Sequence, residues 1–188
     1  MDKNPKTAQW LRYLMYASIV SIVEYLLNFI GLSGLIRWIS PVVNGVTVYL
    51  LFMLAGVNVR YKYAAGFYAA ALVGGLIGGT GLSLVASVCG IVAQYQEYHA
   101  HGELIGEKEP KLADKWNTLF GLEIVVTLVG ALLGGLVVGI LTASLNIDEN
   151  TMALMITVLV AVLGLGLKLL YLNYLKKTIG LVDTETVM

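Results

Sequence analysis

The chain has 188 residues, 58% of them hydrophobic and 13% charged, and a mean hydropathy of +0.80. Apolar residues in that proportion exceed what a soluble domain of this length can hide, so the composition points to an integral membrane protein. Twelve Lys+Arg balance twelve Asp+Glu, which leaves no basic field for nucleic-acid phosphates, and the lone Cys89 excludes an intrachain disulfide.

About five apolar runs follow one another, near residues 8–32, 42–58, 64–96, 118–145 and 152–175. Long unbroken runs, in place of short alternating ones, select helices over a barrel. The expected fold class is all-α. Residues 1–188 form a single polytopic helical membrane domain, multi-pass in the cell membrane, with a polar connector at 97–117 and the lipid bilayer as its main partner.

The first run resembles a signal peptide at its start, where Lys3, Lys6 and Arg12 precede apolar residues. Glu24 interrupts it and no small-x-small cleavage pattern follows, so it reads as a retained span. Trp10, Tyr13 and Tyr16 mark its interface. Glu24 and Asn28 share a face one turn apart and are the lead toward a polar cavity, the alternative being a neutral, hydrogen-bonded carboxyl. Next, Ser33 to Pro41 is too short to cross. With Arg37 and Trp38 it is expected along the interface, and Pro41 opens the second span.

As one helix the third run would be about 50 Å long, against a hydrocarbon core of about 30 Å. Either its end at Gln94 to Ile105 projects into water, or it breaks at Gly78-Gly79-Thr80-Gly81 as a re-entrant hairpin; the long helix is the favoured form. Tyr61 and Tyr63 precede this run as interfacial aromatics. Within it, Leu72-Val73-Gly74-Gly75-Leu76-Ile77-Gly78-Gly79 resembles Leu128-Val129-Gly130-Ala131-Leu132-Leu133-Gly134-Gly135 of the fourth run. Small-xxx-small spacing lets backbones approach closely, so Gly74, Gly75, Gly78, Gly79, Gly130, Gly134, Gly135 and Gly139 are expected to pack the third and fourth runs together as a central pair. Gly164 and Gly166 are expected to serve the same packing in the fifth run.

The densest polar segment is Gln94 to Glu103. On a helix, Glu97 pairs with His101 and His99 with Glu103, one turn apart, and the two pairs point in different directions. A divalent metal on Glu97, His99, His101 and Glu103 is the one cofactor suggested. The competing expectation is a solvated helix end carrying no metal site. Pro110 then starts an amphipathic stretch over Lys108 to Lys115, which leads past Trp116, expected as an interfacial aromatic, into the fourth run.

Glu123 and Lys168 lie at similar membrane depth in the last two runs and are expected to pair, because each alone is costly in lipid. Tyr171 and Tyr174 mark the fifth run's interface. Lysines flank these two runs on one side only, so the Asn146 to Asn150 connection should face outward and the C-terminus should be cytoplasmic. No nucleophile elbow, nucleotide fingerprint or Cys/His pairing appears, and the balance leans away from an enzyme. Transport or permeation of an ion or small solute through Glu24, Asn28, Glu123 and Lys168 is the leading expectation. The alternative is an accessory subunit that binds a membrane partner or another copy of itself through its glycine faces. A metal-dependent membrane enzyme is the third reading.

Overall fold

A computed structural model describes residues 6–29, 33–132 and 149–183. Every element among them is an α-helix: α1 (Lys6–Phe29), α2 (Ser33–Leu54), α3 (Val59–Ile77), α4 (Thr80–Ile105), α5 (Pro110–Leu132) and α6 (Glu149–Asp183). Two stretches are long and apolar enough to cross a membrane, Lys6–Phe29 and Asn150–Asp183, while Trp38–Leu54 is a shorter apolar helix.

Local chemistry sets several of the helix ends. Asn58 accepts a hydrogen bond from the Arg60 amide at 2.8 Å and caps α3, and Pro110, whose missing N–H costs nothing in a first turn, opens α5. The 64–96 run is not one helix. It reverses at Gly78 and Gly79, whose φ angles of 77° and 91° lie where an L side chain meets its own backbone, and α3 and α4 fold back against each other. Pro41 does not open a span either. It lies inside α2, which is continuous from Ser33 to Leu54, so the expected interfacial segment is part of that helix. Similarly, α6 runs on to Asp183, because Leu175, Thr178, Ile179 and Val182 are buried against the bundle.

Each helix packs on its neighbour in sequence, and α6 also packs on α1, so the six close into a ring. At one end Arg12 pairs with Asp183, and the Trp116 indole donates to the Thr178 hydroxyl at 3.2 Å. Lys6, Arg12, Arg60, Lys62, Lys108, Lys111, Lys115, Lys176 and Lys177 all belong to this end, and Arg37 belongs to the other. Buried Leu11, Leu14, Leu51, Leu54, Ile105 and Leu119 pack the basic end tightly. Toward the other end the apolar side chains face outward, including Leu76, Leu84, Val88, Leu128 and Val162. An exposed apolar surface of that extent marks a membrane or protein contact.

The glycines serve contacts other than the expected one. A Cβ on Gly74 would meet the Ala86 Cβ at 3.2 Å, within the α3–α4 hairpin, and one on Gly130 would meet the Val160 methyls of α6 at 3.2 Å. Hence the two similar segments do not face each other: Gly74 and Gly130 are spent on different neighbours, and Gly78 and Gly79 make the turn. Gly75 faces open space. Gly164 lies under Tyr25, whose hydroxyl would be 2.8 Å from an added Cβ, and Gly166 faces open space. Gly134, Gly135 and Gly139 fall outside the described residues.

Candidate functional site

The helix ring surrounds an open cavity of about 970 Å³ to which all six helices contribute. Its polar lining comes from stripes at helical spacing. On α2 these are Ser40, Asn44 and Thr47; on α4, Gln94, Glu97 and Tyr98. Ser18 and Ser21 of α1, Tyr68 of α3, Glu123 of α5, and Lys168 and Tyr171 of α6 complete it. At one end the lining reaches exposed Trp38, at 80% exposure, and exposed Leu76. At the other it stops at Glu97, beyond which buried His101, Tyr61 and Trp116 fill the basic end of the bundle.

Glu97 is the best-satisfied group in the cavity wall. It is 4% exposed, and both of its oxygens act as acceptors, one from the Tyr171 hydroxyl at 2.5 Å and the other from Tyr68 at 2.9 Å. These three residues come from α4, α6 and α3, so the carboxyl ties three helices together. Glu123 accepts from the Tyr98 hydroxyl at 2.8 Å through one oxygen, while its other oxygen is buried without a partner. Trp116 stacks on His101 with ring centroids 4.5 Å apart and also touches Tyr98, Tyr171 and Tyr174 edge-on or tilted. The expected interfacial role of Tyr61, Trp116 and Tyr171 is therefore corrected. Each turns its polar tip to a partner inside the bundle: Tyr61 to His101, Trp116 to Thr178 and Tyr171 to Glu97.

The expected Glu123–Lys168 ion pair is not formed. Both residues line the cavity, but Glu123 turns to Tyr98, and the Lys168 ammonium lies 5.7 Å from the centre of the Tyr25 ring. That ammonium is close enough to Glu24 and to Glu123 for its charge to act on both. Glu24 and Asn28 are not part of the lining. Asn28 is exposed, and Glu24 has one buried oxygen without a partner.

The two His–carboxylate pairs diverge, but the segment is not a solvated helix end. Glu97 and His101 point into the bundle because Trp116 and Tyr171 cover them, whereas His99 turns back onto the Tyr95 carbonyl at 3.0 Å and the Tyr95 ring. Glu103 faces outward. It accepts from Arg60 Nε at 2.6 Å and from Asn58 at 3.0 Å. No three His, Cys, Asp or Glu side chains converge on a common point among the described residues.

Partial burial works to raise the Glu103 carboxyl, but the hydrogen bonds from Asn58 and Arg60, together with the Arg60 charge, hold it below the usual carboxylate range. A depressed folded value means that this contact stabilises the protein above the unfolded carboxyl's ordinary range and is lost as pH falls through the folded value. Glu103→Gln should therefore lower the melting temperature slightly at pH 7, the pair being half exposed, and the difference from wild type should shrink as pH falls below the ordinary carboxyl range. Melting curves across pH check this; a gap that widens in acid overturns it.

No protein-family model matches the chain, and neither a curated protein nor a solved structure does.

Proposed function

We propose that this is a multi-pass membrane protein that carries a small polar solute or ion through the centre of its helix ring. A polar cavity built by six helices inside an otherwise apolar shell supports this reading. Charged groups within a membrane are costly and persist where they serve a solute, ion or proton path. A volume near 970 Å³ is at the upper end of the range that small-molecule sites occupy. Two carboxylates, Glu97 and Glu123, stand in the lining against the single ammonium of Lys168, which favours a cation.

Osmotic swelling of proteoliposomes in choline, glycine or lactate salts tests the proposal across the charge classes. Choline is expected to enter faster than into protein-free vesicles, and Glu123→Gln should cut that rate by about tenfold, equivalent to about 1.4 kcal/mol. If no probe enters faster than into empty vesicles, or Glu123→Gln and Lys168→Gln leave every rate unchanged, the reading is wrong.

By the positive-inside rule, the basic end of the ring is cytoplasmic. Both chain ends then lie inside, and the connection around Asn146 to Asn150 lies outside. In a Cys89→Ala background, Thr80→Cys should react with an impermeant maleimide on intact cells and Glu107→Cys only after permeabilisation. The reverse pattern sinks this topology.

An accessory-subunit reading draws on a different surface. Trp10, Tyr13, Tyr16, Val42, Val46 and Tyr49 line an apolar groove on the outside of α1 and α2, which suits an acyl chain or a neighbouring helix.

A further inference from the structure

Passage of a solute through the cavity leaves one buried group without a task. His101, 0% exposed, lies one turn beyond Glu97 on α4 and has its Nδ1 2.8 Å from the Tyr61 hydroxyl. Its Nε2 is buried with no hydrogen-bond partner and lies 3.6 Å from Glu97 Oε1. A buried polar atom left unsatisfied is destabilising, and an imidazole kept only for packing would be better replaced by an apolar ring.

The groups around this ring come from four helices. Tyr61 and Tyr68 approach from α3, with Arg60 beyond them, and Glu97, Tyr98 and Glu103 lie on α4 itself. From α5 comes neutral Trp116, stacked on the imidazole, with Glu123 one hydrogen bond away through Tyr98; from α6 comes Tyr171. Tyr61 continues the line outward. Its hydroxyl is close enough to Glu103 for that carboxylate's charge to act on it, and Glu103 is half exposed between Asn58 and Arg60. Cavity, Glu97, His101, Tyr61 and Glu103 thus form a sequence of ionisable groups through the packed basic end.

Building on the transport reading, we propose that Glu97, His101 and Tyr61 form a proton path between the cavity and the basic end of the ring, with H⁺ as the coupling ion. A proton arriving on the Glu97 carboxyl crosses as the side chain closes the 3.6 Å gap: the Glu97 O–H bond breaks and the Nε2–H bond forms. The Nδ1–H bond then breaks as the Tyr61 oxygen takes that proton, and the hydroxyl's own proton leaves toward Glu103 through water. The ring ends neutral, in its other tautomer, so the next proton crosses only after the imidazole has turned over to present its free nitrogen to Glu97 and the tyrosine hydroxyl has rotated back. The Tyr68 and Tyr171 hydroxyls hold Glu97 in place between transfers.

The test uses the full-length protein in liposomes loaded with a pH-sensitive dye, with an inward proton drive set by a potassium gradient and valinomycin. Wild type should acidify the lumen well above the protein-free rate and slow down in deuterium oxide. His101→Gln and Tyr61→Phe should each lose roughly a hundredfold of that rate or more, the usual scale for removing a positioned proton-transfer group. Tyr61→Phe removes one oxygen only, and the isotope effect is read on wild type, so a failure of His101→Gln to fold does not decide the matter. Wild type no faster than empty vesicles, or Tyr61→Phe as fast as wild type, overturns the path. Choline swelling without proton entry overturns the path and leaves the transport reading standing, whereas loss of both overturns both.

Discussion

Trp116→Ala is expected to destabilise the protein by about 3–5 kcal/mol, the usual cost of truncating a buried tryptophan. The indole is 0% exposed, stacked on His101, flanked by Tyr98, Tyr171 and Tyr174, and hydrogen-bonded through Nε1 to Thr178. Its removal empties the centre of the basic end, where α4, α5 and α6 meet, and leaves the Thr178 hydroxyl buried without its donor. Trp38→Ala is the matched control, because that ring is 80% exposed, and should change stability by less than about 0.5 kcal/mol in detergent. Thermal melts of the two variants side by side decide it. Equal losses would mean that the basic end is not a packed plug.

Glu97→Leu should cost on the order of 2–6 kcal/mol, because it strips the acceptor from both the Tyr68 and Tyr171 hydroxyls at about 1–3 kcal/mol each. The informative comparison is with the triple variant Glu97→Leu/Tyr68→Phe/Tyr171→Phe. Replacing the carboxyl and both donors by apolar groups of similar shape should recover most of the lost melting temperature, since no polar atom is then orphaned. Strict additivity, with the triple variant less stable than Glu97→Leu alone, would show that the hydroxyl–carboxyl bonds are not what holds α3, α4 and α6 together.

Much of the fold was legible because hydropathy is additive over a helix. The all-α class follows from run length alone, and Pro110 announces the start of α5 by its chemistry, whereas the Asn58 cap of α3 does not stand out from the sequence. Pro41 and the 64–96 run misled for opposite reasons. Proline is tolerated inside an apolar helix whose neighbours support it, as in α2, and a glycine pair within such a run reads equally as a packing face or as a turn. Only the positive φ angles of Gly78 and Gly79 separate the two.

The site was legible in part. Glu123 and Lys168 stand out as costly ionisable groups and Glu97 as part of a dense polar segment, but their partners do not, because Tyr61, Trp116 and Tyr171 look like interfacial anchors when each is judged by its distance from a run's end. The usable signal was periodicity. Ser40, Asn44 and Thr47 recur at one-turn spacing within apolar sequence, as do Gln94, Glu97, Tyr98 and His101, and each series marks one inward face. Neither the Tyr68–Glu97–Tyr171 junction nor the Glu123–Tyr98 bond could be read that way, because each joins residues far apart in the chain.

Closure of the ring by α6 on α1, fastened by Arg12 and Asp183, 171 positions apart, sets the order in which the protein can be made. Ribosomes deliver α1 first and α6 last, so throughout synthesis the nascent chain holds Glu97 without its Tyr171 donor and Glu123 without the nearby Lys168 charge. Under the membrane arrangement proposed above, those carboxyls wait in water, in the insertion machinery or protonated in lipid until the final helix arrives. Premature termination before α6 therefore leaves an open arc in which Glu97 lacks the Tyr171 donor and Glu123 lacks the nearby Lys168 charge.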